Sequence, residues 1–302
     1  MRVLAIGEML WDVFPQQELL GGAAFNFCAN LNRLGDTARL ITAVGDDERG
    51  RRAIAQMSAL HIHTQFVQVV TGAPTGTAVV CYDAAGEPSF TIVRPVAYDR
   101  ISITSDLVAA IKAYDPQWIY FGTLFHITER NEEFTRSILE AAPHARSFYD
   151  MNLRPDQWNI PLIRRLCAQC SILKLNEHEV RVIAAAQEME PDISLESFAH
   201  CISDTFNIPT ICITLGRQGC FVYNEGSSIR VPGLTIQTED TVGAGDAFAA
   251  AFLHGCNSGL PILETARLAN TLGAVVASRR GATPPWTLEE LHAISTYSIV
   301  PR

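Results

Sequence analysis

Six short apolar runs recur along this 302-residue chain: "RVLAIGE", "ARLITAVG", "WIYFGTL", "RSFYDMN", "SILKLNE" and "TICITLG". They are rich in Val, Ile and Tyr and apolar at successive positions, which suits strands buried on both faces. Amphipathic helical stretches separate them, with start and stop signals in place. Asp46 and Asp47 precede "ERGRRAIAQMSAL", and Gly35 follows "FNFCANLNRL". Residues 287–290, "TLEE", form a capping box before the last helix. This alternation predicts an α/β fold with a mainly parallel sheet covered by helices.

One region departs from the alternation. From about 64 to 98 the chain reads strand, turn, strand, turn, strand, and residues 83–86, "DAAG", supply a hairpin turn ending on Gly. Residues 10–22 are similarly extended. Together these pieces predict a small β lid over the C-terminal strand ends, where open α/β sheets bind ligands. No repeat, low-complexity tract or linker divides the chain, so residues 1–302 are expected to form a single domain carrying this lid.

A net charge of −9 argues against nucleic acid or an anionic membrane as partner. The first residues, "MRVLAIGEMLWDVF", lack the length and cleavage pattern of a signal peptide, and no apolar run is long enough to cross a bilayer. The expected location is cytoplasmic. Eight scattered cysteines fit a reducing compartment, where they act as small hydrophobes. Cys167 and Cys170 have metal-like spacing but no second pair, so helix packing is the better reading.

The stretch "DTVGAGDAFAAAFLHG", 240–255, carries the chemistry. Gly243, Ala244 and Gly245 allow a tight turn into a helix expected from 246 to about 255. Free N–H groups at such a start, with the helix dipole behind them, hold an anion. An aspartate in that first turn repels a resting phosphate but can accept a proton from a hydroxyl wedged between them. The residues alone leave two readings open, a base for phosphoryl transfer to an alcohol or a plain helix cap. A dinucleotide-binding reading is weaker, because the third glycine is missing.

Residues 240–246 match the D-T-x-G-A-G-D signature of the ribokinase-like (PfkB) carbohydrate kinases, and further motifs of that family occur in order. "GGAAFNFCANLNRLG" resembles its sugar-side segment, with Gly21, Gly22 and Asn26 in place, and Asp12 matches an aspartate that grips sugar hydroxyls. "NEHE" resembles an N-x-x-E element, "TLGRQG" a nucleotide segment, and "ANTLGAVVASRRGA" the late helix and turn near adenine and a monovalent cation. The resemblance covers nearly the whole chain. It implies a ribokinase-like three-layer sandwich, ATP with Mg2+, and a K+ site near Asp240. It also implies Asp246 as base with Gly243, Ala244 and Gly245 as anion hole. Sugar would lie against Asp12, Gly21, Gly22, Asn26 and Arg154, and ATP along Asn176, Thr214, Gly216, Gly219 and Asn270. Glu179 would fix a magnesium-bound water, although Asn176 and Glu179 also read as a reciprocal helix cap. By analogy, the lid edges would pair two chains into a homodimer.

"DMNLRPDQW", 150–158, resembles a D-x-N-x-R-x-x-x-W pattern of fructokinases and partly of 2-keto-3-deoxygluconate kinases. Ala23 stands where ribokinases carry Lys. D-fructose is therefore the expected acceptor, and the keto-acid sugar, or another sugar or nucleoside that the family phosphorylates, is the alternative. A sugar-binding protein without catalysis is the reading from another class, and the intact 240–246 motif speaks against it. For Arg154, a structural ion pair with Asp150 or Asp156 competes with ligand contact.

Overall fold

All six apolar runs form strands, and a nine-stranded sheet is built around them. In this computed structural model, residues 1–82 and 88–297 are described, so the 83–86 turn lies outside the described residues. The strands are β1 (Arg2–Ile6), β2 (Leu10–Val13), β3 (Glu18–Gly21), β4 (Thr37–Gly45), β5 (Val67–Val70), β6 (Gly76–Tyr82) and β7 (Pro88–Ile92). They continue as β8 (Trp118–Gly122), β9 (Arg146–Asp150), β10 (Ile172–Asn176), β11 (Thr210–Thr214), β12 (Cys220–Asn224) and β13 (Ser227–Val231). The large sheet has the order β13-β12-β11-β10-β9-β8-β1-β4-β5, parallel throughout except that β12 runs against its two neighbours.

Helices cover both faces. Against one lie α1 (Ala23–Arg33), α2 (Glu48–Ala59), α8 (Ala244–Asn257), α9 (Ile262–Ala277) and α10 (Leu288–Tyr297). Against the other lie α3 (Ser105–Tyr114), α4 (Glu129–Ala141), α5 (Ile160–Cys167), α6 (Glu177–Ala186) and α7 (Leu195–Phe206). Strand periodicity sorts the core accordingly: Val3 and Ala5 face the α1–α8 layer, Leu4 and Ile6 the α3–α7 layer. The result is the three-layer α/β/α sandwich.

The expected lid needs one correction. β5 pairs in parallel with β4 and belongs to the large sheet, because its residues continue the core edge beside 42–45. The remaining extended pieces form a separate four-stranded sheet, β3-β2-β6-β7, in which β2 pairs antiparallel with β3 and parallel with β6. Glu18 ties this sheet to α2 through Arg49 (2.6 Å) and Arg52 (2.9 Å). Arg52 also lies over the Trp11 ring at 4.3 Å.

Strand order reverses at β1: the chain builds β4 and β5 on one side, then returns to β8 on the other. A crevice opens at the C-terminal strand ends beside such a reversal. α1 and α8 meet above it. Ala247, Ala249, Ala250 and Ala251 keep α8 slim enough for that contact, and Phe27 of α1 stacks on Tyr120 of β8 with centroids 3.9 Å apart. Most local signals appear as read. Asp47 caps α2 by accepting from Gly50 N–H (2.7 Å), and Gly35 ends α1 with φ 92°. Cys167 and Cys170 are free and buried. In the 287–290 box only half forms: Thr287 accepts from Glu290 N–H at 3.2 Å, while the Glu290 carboxylate pairs with Arg279. Because Phe27 is fully buried, Phe27→Ala should cost about 3–5 kcal/mol through lost contacts and a residual cavity, read as a lowered guanidinium midpoint.

Candidate active site

The chain enters α8 through Gly243, whose φ of 78° is a left-handed value that side chains disfavour. A Cβ there would also lie 2.2 Å from the Ala282 carbonyl oxygen. The helix starts at Ala244, two residues before the expected start. Its first α-type bond runs from Ala247 N–H to the Gly243 carbonyl at 2.9 Å. The Gly245 and Asp246 N–H groups precede that bond and belong to the helix's donor-rich end. Asp240 braces the turn, accepting from Val242 N–H and from Gly281 N–H, each at 3.0 Å.

Asp246 is buried, and its Oδ2 accepts a 2.8 Å hydrogen bond from Asn26 Nδ2. Burial pushes its carboxyl up to about 6; Asp150 adds to the rise, while Lys174, the Asn26 bond and Arg154 oppose it. The Asn26 Oδ1 is buried with no hydrogen-bond partner. A buried orphan acceptor beside a carboxylate is a place for a ligand hydroxyl to donate.

The other residues expected to meet sugar stand on the elements next to this pair. Gly22 caps α1 with φ 117°, and a Cβ there would lie 2.4 Å from the Glu8 carbonyl oxygen. Gly21, at the end of β3, sits close to Asp12 of β2: a Cβ on it would stand 3.1 Å from Asp12 Oδ2. Burial raises the Asp12 carboxyl to about 6, with Arg154 lowering it and Asp240 raising it. Arg154 lies in the loop after β9, and its field reaches Glu8, Asp12 and Asp246. It forms no ion pair among the described residues. The ion pair weighed against ligand contact is thus not made, because Asp150 is taken by Lys174 at 2.9 Å.

Asn176 and Glu179 make the reciprocal cap. Asn176 Oδ1 accepts from Glu179 N–H (2.9 Å), and Glu179 Oε2 accepts from Asn176 N–H (2.7 Å). The second Glu179 oxygen accepts from Leu153 N–H at 2.7 Å. Among the described residues, no three His, Cys, Asp or Glu side chains are arranged to hold a metal ion.

Thr214, Gly216, Gly219, Asn270, Ala244 and Gly245 line one cleft of about 560 Å³. Asn176 and Glu179 are not among its lining residues. Leu234, Ile236, Phe248, Ala274 and Ala277 make its apolar wall, and Arg217 adds a cation. The Asn270 amide holds that wall in place by donating to the Val231 (3.3 Å) and Pro232 (3.2 Å) carbonyls. Gly219, with φ 96°, permits a backbone approach that a Cβ would block at 2.0 Å from the Val231 oxygen. Glycine floors and an apolar slot leading to a helix start fit a flat base with trailing phosphates.

Sequence reasoning missed Glu8 and Lys174. Glu8 is buried, accepts from Ala23 N–H at 3.2 Å, and has its carboxyl raised by burial. Lys174 is a charged residue inside an apolar strand, a signal that a buried partner must exist. His126 plays no part here: it bonds the Gly122 carbonyl (2.6 Å) and Thr135 (2.7 Å), and burial lowers it to about 4.

Comparison with known proteins gives the family and the fold. Residues 10–288 match the profile described as pfkB family carbohydrate kinase. A fructokinase of Escherichia coli is 28% identical, covering 93% of this chain and 94% of its own. The fold matches a Xylella fastidiosa fructokinase with bound ATP (TM-score 0.83, 20% identity, 98% of each chain). It also matches a double-mutant fructokinase of Vibrio cholerae O395 in its fructose, ADP and potassium ion bound form (TM-score 0.82, 24% identity, 97% of each chain).

The raised Asp246 carboxyl has a consequence for stability. Its folded-state value, about 6, exceeds an unfolded value of about 3.9, so the folded chain loses stability as pH rises from about 4 to 6 and stays penalised above. Asp246→Asn should therefore melt higher than the parent at pH 8, by roughly 2–3 kcal/mol at most, with the gap closing near pH 4 in a calorimetric series.

Proposed function

Because the chain belongs to the pfkB family of carbohydrate kinases, and so transfers a phosphoryl group to a sugar, we propose that it is an ATP-dependent fructokinase with Asp246 as general base. The observation that carries this is the buried pair of Asp246 and the orphan Asn26 Oδ1, one residue along the chain from Gly245, which lines the 560 Å³ cleft. In this reading the sugar lies between Asp12, Gly21, Gly22, Asn26 and Arg154. The four-stranded sheet that carries Asp12 closes over it as a lid. Nucleotide lies along Thr214, Gly216, Gly219 and Asn270, with Asn176 nearby.

ATP supplies the γ-phosphoryl group and leaves as ADP. Asp246 accepts the proton of the attacking hydroxyl as its oxygen bonds to phosphorus. Asn26 Oδ1 accepts from a neighbouring sugar hydroxyl, while Nδ2 orients the Asp246 carboxylate. Gly243, Ala244 and Gly245 present N–H groups where charge on the moving phosphoryl is greatest, and the dry site strengthens them. Magnesium usually borrows ligands from phosphate and water, so Glu179 would serve by steadying a magnesium-bound water. Asp240, which ties the turn before α8 to the turn after α9, would help hold a K+ ion there.

D-fructose leads because the fructokinase resemblance extends over nearly the whole chain and includes the 150–158 motif. The unpaired Arg154 favours one second reading, a keto-acid sugar whose carboxylate it would bind.

Coupled ADP release should be fastest with fructose among fructose, ribose, 2-keto-3-deoxygluconate, adenosine and fructose 6-phosphate. Preference for the keto-acid would shift the assignment to that sugar. Asp246→Asn should lower kcat by about 10²–10⁴ with folding intact. The parent's kcat/KM should rise with pH to a plateau, with a midpoint near the Asp246 value of about 6. Near-normal turnover in the Asn variant would remove Asp246 from the role of base.

A further inference from the structure

Lys174, midway along β10, is the cross-strand neighbour of Asp150 at the C-terminal end of β9. Both face the α1–α8 layer, as their alternation with Leu173, Leu175 and Tyr149 dictates. Lys174 Nζ lies 2.9 and 3.1 Å from the two Asp150 oxygens, and Tyr120 Oη donates to Asp150 Oδ2 at 3.2 Å. Neither ionic side chain is more than 8% exposed. The ammonium sits directly beneath the anion-hole turn: a Cβ on Gly245 would stand 3.1 Å from Nζ. Glycine at 245 therefore leaves room for a cation as well as for a tight turn.

Stability does not explain this arrangement. A buried ion pair gains little over apolar residues of similar size. A helix N-terminus is already positive, so an ammonium below it is repelled. What the ammonium meets instead is a cluster of acids. Asp246 is faced by Asp150 from β9, Lys174 from β10, Asn26 from α1, Arg154 from the loop after β9, Glu8 after β1 and Tyr120 from β8. Glu179 of α6 faces Lys174. Two dry carboxylates side by side, Asp150 and Asp246, would otherwise share one proton.

We propose that Lys174 is a positioning residue for phosphoryl transfer: its ammonium, seated under Gly245 and clamped by Asp150, keeps Asp246 ionised and ready to take the sugar proton at neutral pH. This rests on the general-base reading of Asp246. Burial works against the charge on Lys174, but the Asp150, Asp246 and Glu179 carboxylates outweigh it and hold the ammonium above its ordinary value.

The test follows the charge of Asp246 in two ways. In the ligand-free protein, the Asp246 carboxyl carbon is titrated by NMR and assigned through its loss in Asp246→Asn. With sugar and ATP, the acid limb of kcat/KM is recorded. Lys174→Met should move both midpoints up by about one unit or more, roughly a tenfold loss of kcat/KM on the acid side that narrows at high pH. Asp150→Asn should move both down. The double variant Asp150→Asn/Lys174→Met, which removes both members of the ion pair, should return them to within about half a unit of the parent. It also keeps the test alive if Lys174→Met does not fold. A merely structural lysine would lower kcat/KM equally at all pH values. Unmoved midpoints in Asp150→Asn, with Asp246→Asn inactive, would overturn the proposal and leave the base intact. Turnover persisting in Asp246→Asn would instead sink the base reading itself.

Discussion

A carboxylate held at the first turn of α8, inside the protein and still able to ionise, is the constraint that the rest of the site serves. Burial alone favours the protonated acid. The nearby Lys174, the Asn26 hydrogen bond and Arg154 act in the other direction. Their balance leaves Asp246 near the middle of its range, where a proton can be both taken and returned. Neither a fully solvated aspartate nor one locked in an ion pair has that property.

The fold supplies this balance through its layers. β9 ends on Asp150, β10 sets Lys174 beside it, and the start of α8 lies over the pair at Gly245. α1 reaches the same point from the other side of the strand-order reversal and delivers Asn26. Asn30 extends the line by accepting from Trp286 Nε1 at 2.8 Å and donating to the Asn26 carbonyl at 2.9 Å. α1 is thus fixed at both a ring stack and a polar chain. Where α8 begins, Asp246 meets Asn26 of α1, while Ala244 and Gly245 line the cleft that holds Gly219 and Asn270. One helix start therefore serves both proposed ligands, which is the geometry an in-line transfer needs.

Much of this was legible in local residue order. The apolar runs predicted the central strands because two-sided burial leaves no room for polar alternation. The turn at 243–245 was visible because paired glycines before an alanine-rich helix have few other uses. β5 was misplaced with the lid for an equally local reason: a short strand's sequence carries no record of which sheet edge it joins. The cap at Asn176 was readable as a cap, and the structure shows both of its halves. Glu8 escaped notice since a lone acid after a strand looks like an exposed strand end.

The sequence by itself determined the α/β class, the tight glycine turn and the acid that follows it, because these depend on residues a few positions apart. Only the tertiary structure decided what surrounds that acid. Asn26 meets Asp246 across 220 positions, and Lys174 finds Asp150 through a strand register. Charge balance in a dry pocket depends on distances set by sheet order and helix packing, and no periodicity along the chain encodes those distances.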